Sequence, residues 1–177
     1  MNLSGEKIVL RAIEEADNEM LLSLLNDPET ESLLGGWSFP ASLSNQMKWY
    51  SHLGEDKNTL RCIIEVEGKA IGTIILNNID YKNGTACLSI KIIPGDFRGK
   101  GYGTDSVKTI VQYAFSELRL NCVYAFVLDY NLASQKMFAK CGFEKEGILR
   151  ERCYKQGRYN SYVSFSILNG ERHNEEG

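Results

Sequence analysis

The chain has almost no histidine, no paired cysteine motif and no long apolar run, and each shortage closes a class of function. Only His52 and His173 are present, and the five cysteines (Cys62, Cys87, Cys122, Cys141, Cys153) include no Cys-x-x-Cys spacing. A zinc site needs such ligands clustered at short spacing, so no metal centre is expected. The cysteines read as structural thiols of a reducing, cytoplasmic protein. The opening MNLSGEKIVLRAIEEAD carries no apolar signal segment. No stretch approaches the roughly 18 apolar residues of a membrane span, so no membrane partner is expected. Basic charge is not in excess either: 20 Lys and Arg stand against 23 Asp and Glu, a net charge of −3. That balance speaks against non-specific nucleic-acid binding as the main task. A hydrophobic share of 43% rules out a disordered chain. At 177 residues, the chain is long enough to bury a core without disulfides or metals. Residues 1–170 read as a single domain and 171–177 as a polar, frayed tail, with no repeat or linker between.

The hydrophobic pattern changes character part-way along. Residues 7–13 (KIVLRAI) predict a first strand. Asp17 and Asn18 can cap a helix carrying Met20, Leu21, Leu24 and Leu25, which Asp27-Pro28 should stop. Ser42 or Ser44 starts a second helix through Trp49 and Tyr50. Residues 60–66, 70–76 and 85–93 then read as three strands joined by short turns at Glu67-Gly68 and Asn83-Gly84, an antiparallel meander. After Pro94 comes a glycine-rich loop, then an amphipathic helix with Val107, Ile110, Val111, Ala114, Phe115 and Leu118 on one face. The nearly all-apolar run 122–128 predicts a strand covered on both faces and paired in parallel through this crossover. A short helix over about 132–140 ends at Cys141-Gly142, and two last strands flank Gln156-Gly157.

The segment Arg98-Gly99-Lys100-Gly101-Tyr102-Gly103-Thr104 opens the amphipathic helix. Glycines let the backbone turn its N–H groups into one concavity, and the helix terminus and two cations add positive charge. Together they favour a phosphate-bearing ligand. The pattern is not a P-loop, because Lys100 precedes Gly101 and no Ser or Thr follows it. A dinucleotide fold is disfavoured too: a meander precedes the motif, and only one crossover follows.

Arg98-x-x-Gly101-x-Gly103, the helix opening at Asn131-Leu-Ala-Ser134, and Gly142-Phe143 together resemble the signatures of the GCN5-related N-acetyltransferase family. The order of elements matches from about residue 6 to 168. IVLRAIEEAD, Trp49-Tyr50 and the late GILRER…GRYN hairpin are similar to the branch holding ribosomal-protein N-terminal and spermidine acetyltransferases. The resemblance implies an α/β fold: a mixed sheet with an antiparallel meander, one parallel crossover, splayed central strands and flanking helices. It implies acetyl-CoA as cosubstrate and a primary amine as acceptor, either a protein N-terminal amine or a small molecule. A polyamine or amino sugar is an alternative acceptor, and a CoA-binding sensor without turnover an alternative function. The resemblance allows a homodimer.

Carried onto this sequence, the resemblance puts the pyrophosphate on Arg98, Gly99, Lys100, Gly101, Tyr102, Gly103 and Thr104. The pantetheine arm would fill the gap between splayed strands, bonded by backbone near Ile92 and Ile93 and by Asn131. Phe138 would border it, and Lys140 would approach the ribose phosphate. Asn131 also reads as a plain helix cap and Lys140 as a solvated cation. Two departures stand out: the position of the usual Glu base holds Cys87, and that of the usual Tyr acid holds Phe138, which has no proton to give. Ser134, Glu151 and Cys87 are the substitute catalytic candidates. Each has a structural alternative, respectively a packing residue, a solvated face and a buried thiol. Trp37, Phe39, Trp49, Tyr154 and Tyr159 are candidate walls of the acceptor pocket, flanked by Glu29, Glu31, Glu55 and Asp56.

Overall fold

The computed structural model describes residues 1–36 and 39–174. Among these residues the strands form one eight-stranded sheet. The strands are β1 (Leu3–Ser4), β2 (Val9–Arg11), β3 (Leu60–Val66), β4 (Lys69–Asp80), β5 (Thr85–Ile92), β6 (Cys122–Leu128), β7 (Glu144–Lys155) and β8 (Arg158–Leu168). Their spatial order is β1-β2-β3-β4-β5-β6-β8-β7, so β8 is inserted between β6 and β7. The helices are α1 (Asn18–Asn26), α2 (Pro28–Ser32), α3 (Leu43–Ser51), α4 (Tyr102–Ser116) and α5 (Leu132–Lys140).

The first expected strand is shorter than its apolar pattern, and the cause lies 100 residues away. The Asp105 carboxylate, in the first turn of α4, accepts the N–H groups of Glu6 (3.1 Å), Lys7 (2.7 Å) and Ile8 (3.2 Å). Those donors are withdrawn from any ladder, and the segment becomes a turn between β1 and β2. Asp27-Pro28 does end α1, but it also starts α2. Asp27 caps the Thr30 N–H at 2.7 Å, and proline is well suited to a first helical turn. Ser42 caps α3 through the Asn45 N–H at 3.2 Å. The expected tail begins with a 3-10 turn, Asn169–Asn174, in which Glu171 accepts the Leu168 N–H at 3.0 Å.

Strand alternation divides the meander into two faces. Leu10, Cys62, Ile64, Ile74, Leu76, Ala86 and Leu88 join Val107, Ile110, Val111 and Ala114 of α4 in the core. The opposite face carries the cross-strand row Ile63, Thr73 and Lys91, with Arg61, Ile75 and Ser89 in the next row. Helix α1 packs against β4.

Strands β5 and β6 pair in parallel over only three positions, Thr85 with Cys122, Ala86 with Val123 and Cys87 with Tyr124. Beyond them β5 stays with β4 as far as Gly72 and Ile92, while β6 stays with β8 as far as Leu128 and Tyr162. The sheet therefore forks, as the splayed central strands of the resemblance require.

Candidate active site

A cavity of about 440 Å³ fills the fork. The loop after β5 and the start of α4 form one end of it, α5 a side, and Leu33, Leu34 and Gly35 after α2 the cover. Gly101 caps α4 with φ +85°, a conformation in which a side chain is strained. The first helical bond runs from Asp105 N–H to the Gly101 carbonyl (3.0 Å), so the N–H groups of Tyr102, Gly103 and Thr104 precede the ladder. No described protein group accepts them. Gly103 permits close packing, since a Cβ there would lie 2.9 Å from Met137 Sδ and 3.4 Å from Ile92 Cδ1. Unpaired amides at a helix N-terminus beside a cavity fit a diphosphate. Gly99, Gly101, Gly103 and Thr104 line the cavity; Lys100 and Tyr102 do not, and the partly buried Tyr102 packs on the core. Lys7 adds a cation here that sequence reading missed. Its Nζ donates to the Lys100 carbonyl (3.4 Å).

Arg98 turns away from these amides. Its Nε and Nη2 donate to the Ile92 carbonyl (3.2 and 3.0 Å), Nη1 to Glu29 (2.5 Å) and Nη2 to Thr30 Oγ1 (3.3 Å). It seals the end of β5 and ties it to α2. The ladder also moves the expected backbone contact by one step. The Ile93 N–H donates to the Ile71 carbonyl of β4 (2.9 Å) and is closed inside the meander. Antiparallel pairs alternate, so Lys91 is the next residue bonded to β4, and the backbone groups of Ile90 and Ile92 face the gap. Because Arg98 covers the Ile92 carbonyl, the groups left facing the gap are the Ile92 N–H and both polar groups of Ile90.

Asn131 is the N-cap of α5. Its Oδ1 accepts the Ser134 N–H (3.2 Å), and its Nδ2 donates to the Leu33 carbonyl (3.2 Å). Ser134 lines the cavity, and its hydroxyl has no partner among the described residues. Phe138 is buried against Phe143 and Phe165 at centroid distances of 5.0 and 6.1 Å, with one edge on the cavity. Lys140 lines the cavity too. Cys87 sits at the last pair before the fork, where burial pushes its thiol up to about 11. A thiol so placed stays protonated at neutral pH and is a poor base. Glu151 lies on a bulge of β7 with φ +51°, lining a separate hollow with Arg150, Arg152 and Ser161. The structure does not bring it to the fork.

The described aromatics expected as acceptor walls do not line this cavity. Tyr154 and Tyr159 meet edge-on at the exposed tip of the last hairpin, and Phe39 is exposed. Trp49 lies over the Arg61 guanidinium at 5.8 Å. Trp37 lies outside the described residues. Phe97 and Phe126 line the cavity instead. Helix α2 spans the fork. Glu29 pairs with Arg98, while Glu31 pairs with the buried Lys155 of β7, whose Nζ also donates to the Glu31 carbonyl at 3.0 Å. The Tyr130 hydroxyl donates to the Ser32 carbonyl. Among the described residues no three His, Cys, Asp or Glu side chains gather as a metal site, and no helix is long and apolar enough to cross a membrane.

The sequence profile described as "Acetyltransferase (GNAT) domain" matches residues 7–144. The chain belongs to that family. It is an N-acetyltransferase, with acetyl-CoA as cosubstrate and an amine as acceptor. It is 29% identical to the "SPbeta prophage-derived uncharacterized N-acetyltransferase YokL" of Bacillus subtilis, over 95% of this chain and 93% of that one. It is 29% identical to the "Putative ribosomal N-acetyltransferase YdaF" of the same species, over 97% of each. The crystal structure of spermidine N-acetyltransferase from Vibrio cholerae in complex with CoA and spermine superposes with a TM-score of 0.87 at 26% identity, covering 93% of this chain and 97% of that one.

Proposed function

We propose that this N-acetyltransferase holds acetyl-CoA in the fork between β5 and β6 and acetylates a primary amine there by direct attack within a ternary complex. The observation that carries this reading is the three-pair seam of β5 and β6, with a helix N-terminus at the mouth of the gap. Acetyl-CoA would supply the activated acyl group. The N–H groups of Gly101 to Thr104 would bind its diphosphate, aided by Lys140 and Lys7. The Ile90 and Ile92 backbone would hold the pantetheine arm as a strand is held at a sheet edge, and would aim donors at the acyl oxygen. Asn131 would fix the α5 N-terminus beside the arm. The Ser134 hydroxyl is free to donate to the departing sulfur, the task for which Phe138 has no proton. With Cys87 protonated and Glu151 outside the cavity, the amine would lose its proton to water at the cleft mouth.

The acceptor in this reading is a small primary amine or a protein N-terminal amine. The likeness to spermidine acetyltransferases supports polyamines as a second reading. Five free thiols support a reducing, cytoplasmic setting, and a homodimer is part of the reading, to be decided by equilibrium sedimentation. The domain would span residues 1–170. The test is a crystal soaked with acetyl-CoA, joined to a thiol-release assay over a panel of amines. Coenzyme electron density in the fork and amine-dependent thiol release are expected. A closed fork, or a coenzyme bound elsewhere, would overturn the site. Tight binding without turnover of any amine would support a sensor instead.

A further inference from the structure

Among the described residues, the charged ones lining the cavity are Lys91, Arg98 and Lys140, with no carboxylate. Arg98 is spent on Glu29 and the end of β5, and Lys140 ends α5, where the next residue, Cys141, donates its Sγ–H to the Thr104 carbonyl (3.6 Å) at the start of α4. Lys91 is different. It lies on the sheet face opposite α4, in one row with Ile63 and Thr73, partly buried, and its ammonium makes no hydrogen bond or ion pair with any described residue. Carboxylates of the surrounding elements are already held by other cations. Asp17 and Glu65 both bind Arg11, at 2.7 and 2.5 Å. Asp56 lies 3.8 Å from Arg61, Glu29 binds Arg98, and Glu31 binds Lys155. Burial and the charge of Arg61 push the Lys91 ammonium below the usual lysine range. A cation withdrawn from water without a counter-ion is costly, and a bound anion would offset that cost.

We propose that the acceptor is a small amine carrying a carboxylate or phosphate beside the amine it presents, and that Lys91 receives that anion. This rests on acetyl transfer at the same cleft. Where a polyamine would need free carboxylates, this wall offers an uncompensated cation, and a like charge placed against it is repelled. Lys91 thereby sets the specificity of the reaction.

The test compares matched acceptors in the thiol-release assay: leucine against leucinamide, phosphoethanolamine against ethanolamine, and spermidine alone. In at least one pair the anionic member should exceed its partner about tenfold or more in kcat/KM, and should exceed spermidine. Lys91→Gln should narrow that ratio by raising KM for the anionic member about tenfold, while Lys91→Arg should keep most of it. The acetyl-CoA Kd of both variants, by calorimetry, should stay within about threefold of the parent. Equal or better use of the neutral member in both pairs, or of spermidine, overturns the inference and leaves the transferase intact. So does a Lys91→Gln variant that weakens acetyl-CoA instead, because Lys91 would then serve the coenzyme. Absence of thiol release with every amine brings down the transferase reading and this inference together.

Discussion

The two ends of the cleft are built from different materials. The end proposed for the coenzyme is backbone: three amides before the α4 ladder, a glycine cap in a left-handed conformation, and the gap-facing groups of Ile90 and Ile92. The end proposed for the acceptor is side chains from elements far apart in sequence: Lys91 on the sheet lines it, and α2 beside it is tied to the end of β5 by Glu29 and Arg98 and to β7 by Glu31 and Lys155. A backbone site is specified by a local run of residues and tolerates little change within it. A site assembled from distant side chains can change its chemistry one residue at a time while the coenzyme end stands.

Changes at the two ends should separate cleanly. The largest effect is expected from Gly101→Glu, which sets a strained, negatively charged side chain where phosphate would lie. Acetyl-CoA affinity should fall by at least about a thousandfold in calorimetry, with the fold retained by circular dichroism. Next comes Glu31→Gln, which leaves the buried Lys155 ammonium unpaired. Stability in urea should drop by about 3 kcal/mol, and acceptor KM should rise while acetyl-CoA Kd holds. Ser134→Ala should lower kcat about tenfold and leave KM for acetyl-CoA within about twofold, since in the proposed reaction its hydroxyl would act after binding. Glu29→Gln removes an exposed pair and should cost no more than about 0.5 kcal/mol, since Arg98 keeps its bonds to Ile92.

The smallest change in rate is expected at Cys87. Burial pushes the Cys62 and Cys87 thiols up to about 11. The folded chain thus keeps protons that the unfolded chain releases near pH 9. Their stabilising contribution is complete below about pH 9 and is lost as pH rises toward 11. Cys87→Ala should flatten that alkaline slope in urea titrations. Its pH–rate profile between pH 6 and about 8.5 should keep the parent shape, rising as the acceptor amine loses its proton. An inflection that vanished in this variant would restore Cys87 as the base.

The same contrast explains what could be read from the residues alone. The strands at 60–66 and 122–128 have the bounds their apolar runs predict, and the parallel crossover from β5 through α4 to β6 follows from the length of that connection. These features are local. Arg98 sits in the phosphate motif, yet its partner Glu29 lies 69 residues earlier, and that contact decides where its guanidinium goes. Whether the backbone of Ile93 faces the gap depends on the pairing parity of β4 and β5, which one bond to Ile71 fixes. The residues between Leu149 and Cys153 depart from regular pairing with β8, and no composition signal marks the bulge that carries Glu151 out of the cleft. Helix α2 did leave a mark, since Asp-Pro can open a helix as readily as close one.

The seam at Thr85–Cys87 and Cys122–Tyr124 makes the sheet two plates joined at a narrow hinge. An acyl-pantetheine arm lying in the gap would bridge the unpaired edges of both plates, acting as mortar as well as reagent. Each catalytic cycle would then loosen and re-set the middle of the protein, and amide exchange along Ile90 and Ile92 would slow whenever the coenzyme is seated.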